Sequence, residues 1–145
     1  MAKSELEKYF RKSVVTSATA HPEVSAPRLG LNSNEGFGNR QFSMSWWAIT
    51  EPFEMVKDNH AHDFDQFLIF VGGDLTNMPD LGGVVELTLS QDGKKLEKFV
   101  ITEATTVYVP AGLYHCPLNF KKVNNPKKPI LFHDLFFSPE YKRKE

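Results

Sequence analysis

The chain has 145 residues, a formal net charge of −1 and one cysteine, Cys116. That length suits one domain around one core. The charge balance excludes a general attraction to nucleic acid or to an anionic membrane, and the lone thiol excludes an intrachain disulfide or an all-cysteine metal site.

At the N-terminus, Ser4 followed by Glu7 has capping-box spacing, and Leu6, Tyr9, Phe10 and Val14 fall near one helical face, so residues 4–14 are predicted to form a short helix. Residues 13–40 are poor in large apolar side chains and rich in Ser, Asn, Pro and Gly, which predicts an extended arm. Residues 1–40 are therefore set apart from a β-domain over 41–137 and a polar tail over 138–145. Within 41–137, β-branched and aromatic runs at 42–50, 53–57, 66–71, 84–90, 95–101, 105–109, 118–123 and 130–137 alternate with turn signals. Eight strands at this spacing indicate an all-β sandwich or barrel. Asp92-Gly93 suits a two-residue hairpin turn, and Gly72-Gly73-Asp74 a turn without a following helix. Lys121, Lys122, Lys127 and Lys128 read as a solvated edge. No apolar run reaches the roughly 20 residues that span a bilayer, so a cytoplasmic protein with a small-molecule partner, and neither nucleic acid nor membrane, is expected.

The chemistry concentrates in two places. Taken as extended chain, residues 60–66 place His60, His62 and Gln66 on one face, with Asp63 and Asp65 on the other. Further on, Pro110 and Gly112 shape a turn that delivers His115 to a new strand. By alternation Cys116 should face away from it, as a small buried hydrophobe.

These residues resemble the cupin family, whose first motif is H-x-H, an acidic or amide ligand four residues later and a Gly seven beyond that, and whose second is P-x-G-x-x-H-x-x-x-N. Here they read His60, His62, Gln66, Gly73 and Pro110, Gly112, His115, Asn119. The resemblance implies a double-stranded β-helix, or jelly-roll, barrel that holds one divalent transition metal on His60, His62, Gln66 and His115. Fe, Mn, Zn or Ni would suit such donors. It also implies a homodimer, for which Phe67, Ile69 and Val71 could supply an apolar outer face; they could equally pack beneath a second sheet or the arm. Glu54 and Ala104 stand where the family usually has Gly, and Gln66 where Glu is commoner. Three imidazoles and an amide cancel none of the metal's charge, which leaves it a stronger Lewis acid and favours an anionic ligand.

Strand parity continued back from His60 turns Asp58 and Glu54 inward as candidate general bases. Phe64, Leu68, Phe70, Trp46, Tyr108 and His133 are expected around the pocket, His133 either orienting a ligand or as a core or rim histidine bonded to Asp134 or backbone. Two functions remain open: an enzyme acting on a small carboxylate- or enol-bearing metabolite, whether dioxygenase, isomerase, decarboxylase or lyase, or a non-catalytic module that binds or senses a metal or metabolite.

Overall fold

A computed structural model describes residues 4–16, 28–32, 37–38 and 40–144. Its strands, in chain order, are β1 (Val14–Thr16), β2 (Arg28–Asn32), β3 (Ser43–Ile49), β4 (Phe53–Val56), β5 (Gln66–Gly72), β6 (Asp80–Ser90), β7 (Glu97–Glu103), β8 (Thr105–Val109), β9 (Tyr114–Val123) and β10 (Ile130–Phe136). One sheet runs β1-β2-β3-β10-β5-β8 and the other β4-β9-β6-β7. The pairings are antiparallel. From β3 onward the chain changes sheet at every connection except the β6–β7 hairpin, and that alternation is what winds a jelly-roll.

The period-two pattern explains the packing. Along β5 every second residue from Gln66 to Gly72 is buried; β3 alternates in the same way, and β6 does so as far as Leu87, where consecutive buried Leu87 and Thr88 reverse the parity. The inward side chains build one core between the sheets, in which Phe70 stacks on Phe132 at 5.0 Å and Phe120 sits tilted against both. Phe70 and Phe120 are completely buried, and each contributes about 2 to 3 kcal/mol of apolar burial.

Several expectations are corrected. The N-terminal helix is only a 3-10 turn, Glu5–Tyr9, with no buried residue. Leu6, Tyr9 and Phe10 find no surface to cover, and so short a helix gains too little from its own hydrogen bonds. Part of the arm is strand, because β1 and β2 extend the sheet edge through backbone pairing that needs few apolar side chains, with Leu29 opposite Trp46. The rest of the expected arm, residues 17–27 and most of 33–39, lies outside the described residues. Strands β6 and β9 each begin four residues earlier than the β-branched runs suggested. The extension of β6 includes Gly83, where a Cβ would lie 2.1 Å from the Lys122 carbonyl, so close backbone approach selects glycine in a strand. The β6–β7 connection is longer than two residues, and the Asp92 carboxylate accepts from the Lys94 and Lys95 backbone amides within it. Among the described residues no helix is long and apolar enough to cross a membrane.

Candidate metal centre

The two histidine motifs are joined by backbone. His60 N–H donates to the His115 carbonyl at 3.0 Å and His115 N–H returns the bond at 2.8 Å, an isolated antiparallel bridge that brings the rings to 4.4 Å between centroids. The turn before His115 docks on the first motif, with Gly112 N–H on the His62 carbonyl at 2.8 Å and Ala111 N–H on the Asp65 carboxylate at 2.9 Å. Gly112 has φ +88, which a β-carbon would strain. The extended chain expected over 60–66 is interrupted: only His60 bridges, residues 61–65 bend, and Gln66 opens β5. Asp65 thus anchors the turn that precedes His115.

Each histidine is oriented by a carbonyl at Nδ1: Asp58 for His60 at 2.8 Å, Lys142 for His62 at 2.5 Å and Leu113 for His115 at 3.1 Å. A carbonyl can only accept, so each Nδ1 carries the proton and each Nε2 keeps its lone pair. Burial holds all three rings below the usual imidazole range, His115 down to about 3, so they stay neutral. His60 Nε2 and His62 Nε2 lie 3.2 Å apart. Two lone pairs at that distance repel, whereas a cation about 2.1 Å from each would hold neighbouring donors about 3.0 to 3.4 Å apart. The donor set therefore fits a shared transition metal.

Gln66 is 3 % exposed. Its amide nitrogen donates to Asp134 Oδ1 at 2.7 Å, and among the described residues its buried Oε1 has no hydrogen-bond partner. A buried carbonyl oxygen without a donor is costly unless it meets a cation or water. Gln66, His60 and His115 line one open cavity of about 600 Å³, together with apolar side chains such as Trp47, Met55, Leu68 and Phe132.

The remaining expected site residues divide. Leu68 and Asp58 line the cavity. Asp58 sits at its mouth, paired with Arg143 at 3.1 Å, both side chains exposed. Glu54 is exposed on β4 opposite Asn119 and is not among the lining residues. Phe64 is buried behind the site, stacked on His62 at 4.5 Å. Phe70 belongs to the central core. Trp46 and Tyr108 do not line the cavity: both are exposed on the outer face, Trp46 stacked on His133 at 3.9 Å and Tyr108 on Phe67 at 5.1 Å. His133 faces outward as well, bonded to the Ser45 carbonyl at 2.9 Å. The reason is register. Trp47, not Trp46, shares the inward parity of Ser45 and Ile49, and His133 stands opposite Trp46.

Sequence reasoning missed Asp134, Tyr141, Arg143 and Cys116 as cavity residues. Cys116 turns inward beside His115 because its φ is +80 and the β6–β9 register shifts between Leu87 and Leu89, which breaks alternation. His60, His115 and Cys116 hold their ligand atoms within 4.8 Å of one another, a group capable of binding a metal ion. Burial pushes the Cys116 thiol up to about 12, so it presents neutral sulfur.

No family model matches the chain, and no curated protein matches it in sequence. Among solved structures it is similar to an oxalate decarboxylase studied for an element that modulates proton-coupled electron transfer, with 12 % identity, a TM-score of 0.53, and 80 % of this chain and 26 % of that chain covered. A structure of Bacillus subtilis oxalate decarboxylase concerned with its Mn(II) centres matches with 12 % identity, a TM-score of 0.48 and the same coverage. CapF bound to 3-isopropenyl-tropolone matches with 7 % identity, a TM-score of 0.48, and 90 % and 32 % of the two chains covered. The chain spans about a quarter to a third of these proteins' length. The first match supports the cupin jelly-roll fold and nothing finer.

Proposed function

We propose that this barrel is a metal-dependent cupin enzyme that holds one divalent transition metal on His60, His62, Gln66 and His115 and acts on a small metabolite bearing a carboxylate or enol oxygen. The observation that supports the reading is that His60, His115 and the Gln66 oxygen, which has no hydrogen-bond partner among the described residues, line one cavity, with His62 Nε2 3.2 Å from His60 Nε2 beside it. When bound, the ion would supply a Lewis acid whose charge no ligand cancels.

The chain's own residues would do the rest. Trp47, Met55, Leu68 and Phe132 line the cavity with apolar surface, which strengthens polar contacts beside it. Lys57 and Arg143 at the lining offer cations to an anionic substrate. Of the two acidic candidates only Asp58 reaches the cavity, so the proton-transfer role is assigned to Asp58 alone. Imidazole and amide donors suit Fe, Mn, Zn and Ni. A homodimer through the half-buried outer face of Phe67, Ile69 and Val71 belongs to the same proposal, and light scattering on the purified chain tests it.

The decisive experiment measures metal content of the purified protein, then turnover and oxygen uptake with a panel of small carboxylates. One equivalent of metal with turnover supports the proposal. Tight ligand binding with no turnover would identify a binding or sensing module instead, and absence of metal affinity would sink both.

A further inference from the structure

Residues 141–144 lie along the first histidine motif through four contacts. The Lys142 carbonyl accepts from His62 Nδ1 at 2.5 Å, Lys144 N–H donates to the Ala61 carbonyl at 2.7 Å, Arg143 pairs with Asp58 at 3.1 Å, and the Tyr141 hydroxyl reaches His60 Nε2 at 3.3 Å. The Tyr141 ring packs edge-on against His62 at 4.9 Å and against Phe136 at 5.9 Å. Expected as a free polar tail, the segment is instead zipped onto residues 58–62.

Two of these contacts touch the proposed ligands themselves. The Lys142 carbonyl is the acceptor that keeps the His62 proton on Nδ1, so the lone pair at Nε2 depends on it. Tyr141 Oη is as far from His60 Nε2 as His62 Nε2 is, to within 0.1 Å: 3.3 against 3.2 Å. Without an ion the Tyr141 hydroxyl can donate to the His60 Nε2 lone pair, and the same spacing also suits two donors sharing one ion. Arg143 also bonds the Tyr141 side chain, which places a cation beside the phenol oxygen.

We propose that Tyr141 and Lys142 are parts of the metal centre, the Lys142 carbonyl holding His62 in its ligating tautomer and the Tyr141 hydroxyl supplying a further oxygen donor beside His60. This rests on the metal reading above. Three full-barrel proteins test it: the intact chain, Tyr141→Phe, and a chain ending at Ser138. Co(II) affinity is measured by chelator competition, and Fe(III)-loaded protein is examined for the visible absorption of phenolate bound to iron. Truncation is expected to weaken Co(II) binding about 10- to 100-fold. Tyr141→Phe is expected to weaken it several-fold and to abolish the iron–phenolate band.

A Tyr141→Phe protein with intact affinity and spectrum overturns the donor role, and a folded truncation with intact affinity overturns the Lys142 role. Should the truncated chain not fold, Lys142→Pro tests the same tautomer contact by displacing the local backbone, and unchanged Co(II) affinity there counts against it. An intact chain that binds no Co(II) fails at the underlying metal reading, a distinct result.

Discussion

The Gln66 side-chain amide donates to the Asp134 carboxylate at 2.7 Å and so turns its own oxygen away from Asp134, buried and without a hydrogen-bond partner among the described residues. The pairing favours an amide at this position, because a glutamate oxygen there would meet Asp134 with a second acceptor.

Gln66→Glu is accordingly expected to destabilise the metal-free protein by about 1 to 3 kcal/mol in chemical denaturation. Adding Asp134→Asn returns a donor to the pair and should recover most of that loss. A double-mutant cycle with no coupling between the two positions would refute the pairing.

Two neighbouring residues should behave oppositely toward metal. His115→Ala removes a nitrogen donor and is expected to lower Zn(II) or Mn(II) affinity at least about tenfold, the lower end of what even outer contacts of a metal site cost. Cys116→Ala, which removes only a neutral thiol held near 12, should leave affinity within about twofold. Strong metal loss in Cys116→Ala would mean that sulfur is a ligand.

Acid sensitivity follows from the buried imidazoles. His115 keeps its neutral form down to about 3 in the folded chain, whereas in the unfolded chain it takes up a proton near 6.5. Burial shifts His60, His62 and His133 in the same direction. Metal-free stability should therefore be greatest above about pH 6.5 and fall as the pH drops toward 3, by up to about 1.4 kcal/mol per unit from His115, with the other three acting in the same direction. Denaturation midpoints measured on chelated protein across that window check the sign, and a flat profile would contradict it.

The aromatic core and the outer aromatic face should separate stability from function. Phe120→Ala is expected to cost about 3 to 5 kcal/mol, since its ring touches both Phe70 and Phe132 with no exposed surface. Trp46→Ala, on the outer face, should cost less and leave metal stoichiometry unchanged. Calorimetry with metal analysis of both variants reads the difference.

Much of the barrel was legible because strands announce themselves by period two. Leu68, Phe70 and Ile130 carry that pattern into a two-sheet core, and the eight strands expected between residues 42 and 137 all occur. What local pattern could not reach was which of two adjacent aromatics faces in. Trp46 and Trp47 are indistinguishable by composition, and only the pairing of β3 with β10 settles it. Cys116 escaped for a related reason, since one left-handed residue and one register shift reverse parity without leaving a mark in hydrophobicity.

By itself the amino-acid order determined the fold class and marked His60, His62, Gln66 and His115 as candidate donors, because residue spacing and strand period are local properties of the chain. Tertiary structure alone decided how those donors are held and what accompanies them. The reciprocal His60–His115 bridge, the Gln66–Asp134 bond and the contact of Lys142 with His62 join residues about 55 to 80 positions apart. Contacts of that range depend on how the sheets close on one another, which no local period encodes.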